Sequence, residues 1–320
     1  MQAELIERLE SEGYRARVAS SRRVEEIKAT MEARLKDGTL KQKVFDEYKH
    51  VLTPSPPKDL PDHKSLIVIA VPQPQIRFTF TLNGERIPAV VPPTYLHGWT
   101  LERKVKRIVN DALRPGGYSA VTAFLARKLL AVQSGLAEYG KNNITYVAGL
   151  GSFHRISAYY SDMPCEDETW REPAMMPSCE ACTICAGNCP AGAIDPERFL
   201  IRAEKCVTFH NEQPNNIPFP EWLDPSWHNC LVGCLVCQRV CPEDREVIDW
   251  TDDGAEFTEE ETRFLLDFEP EGKELWTPEG PQTPEGLPAS LAAKLEESDL
   301  VGLLEVIPRN LKALLEATGK

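Results

Sequence analysis

The sequence predicts an α+β protein: a mixed N-terminal part, a cysteine-rich module and a short helical C-terminal region. Three observations predict it. Residues 65–91 combine a buried-strand run with a hairpin, residues 99–138 carry helical periodicity, and nine of the ten cysteines crowd between Cys179 and Cys241. The expected divisions are 1–162, 163–250 and 251–320.

From the N-terminus, residues 3–36 repeat apolar side chains at helical intervals, with Leu5, Ile6, Leu9 and later Val24, Ile27, Met31 and Leu35. The proline-rich stretch of residues 53–57 closes this part. Residues 65–71, SLIVIAV, form a continuous apolar run of the kind that makes a buried strand. Two alternating runs then flank Asn83-Gly84, the dipeptide that best fits a two-residue hairpin turn. Pro88 places the second of these strands at a sheet edge, where a missing N–H costs nothing. Helices are expected over 99–113 and 119–138, and a further strand over 143–147. After residue 249, two helical patches near 258–267 and 287–318 are joined by a Pro/Gly-rich loop.

Composition narrows the function classes. The hydrophobic fraction of 42% supplies real cores, and no apolar run reaches the length of a membrane helix. The charged, amphipathic N-terminus lacks a signal-peptide core, so a cytoplasmic protein is expected. Ten cysteines in such a chain point to metal or redox chemistry. The net charge is −13, and residues 251–320 hold 17 acidic and 6 basic residues, a net of −11. An acidic surface repels phosphate backbones, so nucleic acid is not an expected partner.

The cysteines carry the chemistry. Cys179, Cys182, Cys185 and Cys189-Pro190 follow the C-x2-C-x2-C-x3-C-P run that wraps three corners of one [4Fe-4S] cubane and lends its last thiolate to another. A second run ends the same way, in Cys234, Cys237 and Cys241-Pro242. A single zinc ion has no use for a third cysteine two residues further on. The cross-over assigns Cys179, Cys182, Cys185 and Cys241 to one cluster, and Cys189, Cys234 and Cys237 to the other. The eighth ligand is Cys206 or Cys230, and spacing does not choose between them. The module is therefore ferredoxin-like and carries two [4Fe-4S] clusters.

Several segments resemble the epoxyqueuosine reductase family, the cobalamin-dependent iron–sulfur reductases related to reductive dehalogenases. Residues 134–142, SGLAEYGKN, resemble the family's AGLGWIGKN. Gly151-Ser152-Phe153 with residues 161–164, SDMP, resemble its GSW and TDLP. CPAGAI at 189–194, EKCV at 204–207 and the segment from Gly233 to Pro242 resemble its cluster segments, and IPRNL at 307–311 resembles a late helix. The similarity runs over about residues 120–250. It implies a nitroreductase-like, cobalamin-binding N-terminal domain, Cys206 as the eighth ligand with Cys165 and Cys230 spare, and Lys141, Asn142 and Ser152 as cofactor-binding residues. It implies an oxidoreductase fed by a donor such as a ferredoxin or flavodoxin. An electron-transfer protein serving a corrinoid or other redox protein is the alternative.

The departures set a further expectation. The family's aspartate, a proton donor to the substrate, falls by ungapped counting on Val121, and no carboxylate lies between Asp111 and Glu138. The C-terminal region lacks room for the family's tRNA-holding repeats. Reduction of a substrate other than epoxyqueuosine is expected. His154, Tyr95, Tyr159 and Tyr160 are read as packing residues with a capacity to face a pocket. Residues 87–93 are expected to form one apolar pocket wall.

Overall fold

A computed structural model describes residues 1–320 except 97, 270–274, 278, 279 and 318–320, and of residues 276 and 277 it describes the backbone alone. Helix α1 (Gln2–Ser11) is followed by strand β1 (Arg15–Ser20) and helix α2 (Val24–Lys36). The helical period expected across 3–36 is thus broken by a strand. Gly13, at φ +82°, ends the first helix, and Ala16 and Val18 then alternate inward. Short helices α3 (Gln42–Glu47) and α4 (Lys49–Leu52) lead to β2 (Ser65–Pro72), whose first seven residues are all buried.

The hairpin is as expected. Strands β3 (Gln75–Leu82) and β4 (Glu85–Val91) pair antiparallel about Asn83 (φ +52°) and Gly84 (φ +77°), the left-handed pair that a type I′ turn requires. Helix α5 spans Gly98–Leu113. The helix expected over 119–138 divides into β5 (Ala120–Thr122) and α6 (Arg127–Gln133), because Ala120-Val121-Thr122 adds an edge strand. Strands β6 (Glu138–Tyr139) and β7 (Thr145–Tyr146) form a small hairpin turned by Asn143 at φ +61°. Strand β8 (His154–Ser161) completes an antiparallel sheet of order β1-β2-β8-β5. One face of this sheet packs on α1 and α5, the other on α2 and α6.

The cysteine-rich module is built from short turns and helices: α7 (Ile184–Asn188), α8 (Val207–Asn211) and α9 (Val236–Arg239). Strand β9 (Thr251–Phe257) then runs parallel to β3, giving a second sheet of order β4-β3-β9 with β4 at its edge. Helix α10 (Glu259–Asp267) starts at a capping box made by Thr258 and Glu261, and α11 (Ala289–Glu297) and α12 (Ile307–Ala317) follow. Part of the loop expected over 277–288, and the end of the patch expected to reach 318, lie outside the described residues.

Residues 251–317 share one core with the hairpin: Phe78, Phe80 and Phe257 meet Leu231, Leu265, Leu304 and Leu311. The acidity of this region is partly met at the same place, with Arg77 on Asp253 at 2.5 Å and Arg86 on Glu256 at 2.6 Å. Ile87, Ala89 and Val91 point into this core too. The 87–93 run therefore serves the core and lines none of the cavities described below, because alternation along an edge strand turns its larger side chains toward the sheet's packed face.

Candidate iron–sulfur centre and adjoining pocket

Cys179, Cys182, Cys185 and Cys241 line one cavity together with Gly140, Lys141, Asn142, Tyr146 and Pro242. The turn between β6 and β7 forms its wall. The Lys141 backbone N–H donates to Cys179 Sγ at 3.4 Å, and the Tyr146 hydroxyl donates to Cys241. Asn142 steadies that tyrosine through Nδ2 to its hydroxyl at 2.9 Å. A side chain on Gly140 would meet Asn142 and Tyr146 at 2.5 Å, so the turn closes only around glycine. Burial, with the neighbouring Cys241, Cys179 and Cys182 adding to it, pushes the Cys185 thiol up to about 11.

Cys189, Cys206, Cys234 and Cys237 line a second cavity with Lys128, Tyr139, Asn142 and Ile194. The Ala193 N–H donates to Cys189 Sγ at 3.3 Å, and Asn229 Nδ2 to Cys234 Sγ at 3.1 Å. Burial raises Cys237 well above an ordinary thiol, with Cys234, Cys206, Cys185 and Cys189 adding to it. Burial also raises Cys206, which the Thr208 backbone and hydroxyl oppose by donating to it. Four thiols crowded into one cavity need a cationic centre to become thiolates together. N–H donors aimed at sulfur are the contacts that stabilise such thiolates and tune a cluster's potential. Among the described residues no three His, Cys, Asp or Glu converge on a point fit for one metal ion. The cysteines ring a volume instead, as a polynuclear cluster requires, and the residues present fit two cubanes.

The other sulfurs stand apart. Cys230 is fully buried, lines neither cavity, donates to Asn229 Oδ1 at 3.2 Å and is pushed up to about 12 by burial. Cys165 packs against the core under α1 and α5. Of the three residues expected at a cofactor, Lys141 and Asn142 reach the first cavity and Asn142 also the second. Ser152 lies at neither. Its N–H and hydroxyl both donate to Asp244 at 2.7 Å, and it accepts from Gln238 Nε2 at 2.8 Å. It clasps the loop before β8 to the cysteine module. His154 is held between Thr145 Oγ1 and the Gly151 carbonyl, each at 3.1 Å, and burial lowers its pKa to about 4: it is a satisfied core histidine.

A larger cavity, about 1050 Å³, opens between α5, β5, α6 and β8 and the turn at 299–303. Tyr95, Trp99, Phe124 and Tyr160 give it aromatic walls, and Phe124 stands 62% exposed there. Three buried polar atoms on its wall lack partners: Glu102 Oε1, Arg155 Nε and the Tyr160 hydroxyl. The other Glu102 oxygen is held by Ser157 at 2.9 Å and faces Arg127 at 3.6 Å. This pocket adjoins the second cysteine cavity. Arg127 lines the pocket while its neighbour Lys128 lines the cavity. Tyr95 lines the pocket and donates to Glu212, which Tyr48 also holds at 2.8 Å. The sequence offered no signal for Lys128 or Glu212, which sit in ordinary helical patterns and gain meaning only from tertiary neighbours.

Residues 178–244 match a family described as a 4Fe-4S double cluster binding domain, a span that includes all eight cysteines of the two cavities. An epoxyqueuosine reductase of Burkholderia pseudomallei is 33% identical over 119 residues, 35% of this chain and 28% of that protein. One of Francisella cf. novicida is 32% identical over 158 residues, 46% of this chain and 42% of that protein. Over these segments the chain is similar to epoxyqueuosine reductases. Its fold agrees with solved epoxyqueuosine reductases. That of Bacillus subtilis overlays with a TM-score of 0.65 at 18% identity, covering 98% of this chain and 81% of that one. A solved epoxyqueuosine reductase with an epoxyqueuosine-modified tRNA stem loop overlays at 0.62 and 19% identity, covering 98% and 80%. That solved protein is bound to a nucleic acid, a class of partner not expected for this chain from its net charge. The matched segments span less than half the length of these curated relatives. Among the described residues no helix is long and apolar enough to cross a membrane.

Proposed function

We propose that this protein is an iron–sulfur oxidoreductase that reduces a molecule held in the pocket between α5 and β8. The observation that carries this reading is adjacency: Arg127 and Lys128, consecutive in α6, wall the pocket and the second cysteine cavity respectively. Cys179, Cys182, Cys185 and Cys241 would hold one [4Fe-4S] cluster, and Cys189, Cys206, Cys234 and Cys237 the other. When bound, the two clusters supply one-electron transfer. The chain's own groups then orient and shield. Asn142 forms wall common to both cavities, Tyr146 and Asn229 hold sulfurs by hydrogen bonds, and Tyr139 and Ile194 keep water from the second cavity. Ile184, 44% exposed at the first cavity, marks where a ferredoxin- or flavodoxin-type donor docks.

The pocket's size, its aromatic walls and its three unpartnered polar atoms fit a large ligand with a flat ring system and polar side groups, which cobalamin is. Arg155, Tyr160 and Glu102 would anchor it. The named relatives support a substrate like theirs. Val121, however, lies on the pocket wall where the resemblance would put a carboxylate, which supports a different substrate. Equilibrium dialysis and visible spectroscopy of anaerobic protein with cobalamin test the reading. Binding at tens of micromolar or tighter, weakened by Arg155→Gln, is expected. No binding favours the electron-transfer protein. Restored queuosine in a strain lacking its own reductase would overturn the assignment of a different substrate.

A further inference from the structure

Lys128 is the one lysine on the wall of the second cavity, among Cys189, Cys206, Cys234 and Cys237. Among the described residues its ammonium makes no hydrogen bond or ion pair. The protein packed around the cavity lowers its pKa by desolvation, and the negative charges of Glu212, Cys206 and Cys237 oppose that lowering. Glu212 is already engaged, by Tyr48 and Tyr95, and does not reach Lys128 as an ion-pair partner. The side chain is open to the cavity rather than packed away, so its charge stands free to meet an anion that fills the space between the four cysteines. The first cavity also has a lysine, but Lys141 Nζ is spent on the Glu180 carbonyl at 3.5 Å, and Asp244 adds a negative charge beside Cys241.

Resting on the ligand assignment above, we infer that Lys128 is the electrostatic partner of the second cluster, a positioning residue that stabilises its reduced state and raises its potential. A cubane bound by four thiolates is already an anion, and each electron it accepts adds one more negative charge within the same low-dielectric space. The ammonium offsets that added charge. One electron comes from a one-electron donor of the ferredoxin or flavodoxin class. No bond to Lys128 forms or breaks, and its proton stays on Nζ. The electron is thereby held at the cluster next to the pocket.

The test is a redox titration of the full-length, cluster-loaded chain with dithionite and mediators, followed by EPR. In Lys128→Met the midpoint of one cluster falls by at least the equivalent of a tenfold change in its reduction equilibrium, about 59 mV for one electron. The other cluster's midpoint stays put, and Lys128→Arg stays near the native values. Unchanged midpoints in Lys128→Met, or equal shifts of both clusters, would overturn the inference. If Lys128→Met does not assemble both clusters, Lys128→Gln carries the same reading. Failure of cobalamin to bind leaves these midpoints untouched, so it counts against the pocket reading alone. Loss of a cluster with Cys230→Ala rather than Cys206→Ala counts against the ligand assignment.

Discussion

The first cysteine cavity has the half-exposed Ile184 on its rim and buries Cys179 and Cys185, whereas the second is walled by Tyr139, Ile194 and Lys128, keeps its four sulfurs half-buried and neighbours the large pocket. The two share Asn142 as common wall. Their sulfurs are also supported differently. The first relies on the β6–β7 turn of the N-terminal half, through the Lys141 N–H and Tyr146. The second relies on the cysteine module itself, through Ala193, Thr208 and Asn229, with Lys128 the contribution of the N-terminal half. The same kind of motif is thus set in two surroundings, one beside the β6–β7 turn and one beside the large pocket. The N-terminal half supplies wall to both.

The largest expected effect separates the two thiols that spacing left equivalent. Cys206→Ala should lose about half of the iron, the share of one cubane in two. Cys230→Ala should keep it all, at a cost of about 1 kcal/mol or less, because its buried sulfur holds only Asn229 and leaves little cavity when removed. Iron and sulfide analysis of both variants decides, and the reverse pattern would merge the distinction drawn between the cavities.

A smaller effect sharpens the role of the clasp between the halves. Gly151 has φ +54°, and a Cβ there would meet Asp244 Oδ1 at 2.5 Å, displacing the carboxylate that Ser152 holds. Gly151→Ala should destabilise the protein by about 1–3 kcal/mol through strain and a loosened buried carboxylate. It should do so without changing iron content in the protein that remains folded. Thermal unfolding under anaerobic conditions reads the first, and iron analysis the second.

Much of this was legible in the sequence where the physics is local. The Asn83-Gly84 turn, the apolar run of β2 and the edge position of Pro88 follow from short-range rules, and so do seven of the eight cavity cysteines. The illegible parts depend on partners far along the chain. Cys206 reaches its cavity only through the fold of the 190–206 loop. Strand β9 pairs with β3 across some 175 residues, so 251–257 could not be read as a strand of the hairpin sheet. Strand β1 was hidden because its apolar residues fit a helical spacing as well as an alternating one. Ile87, Ala89 and Val91 were misassigned to a pocket because alternation says that a face is buried, not against what. Lys128 carries no motif at all.

The central claim is that these two cavities hold two cubanes. Iron, acid-labile sulfide and zinc analysis of the full-length protein purified without oxygen tests it most directly. About eight iron and eight sulfide per chain, with negligible zinc and a brown colour, is the predicted result. A folded, colourless protein carrying zinc alone would contradict it.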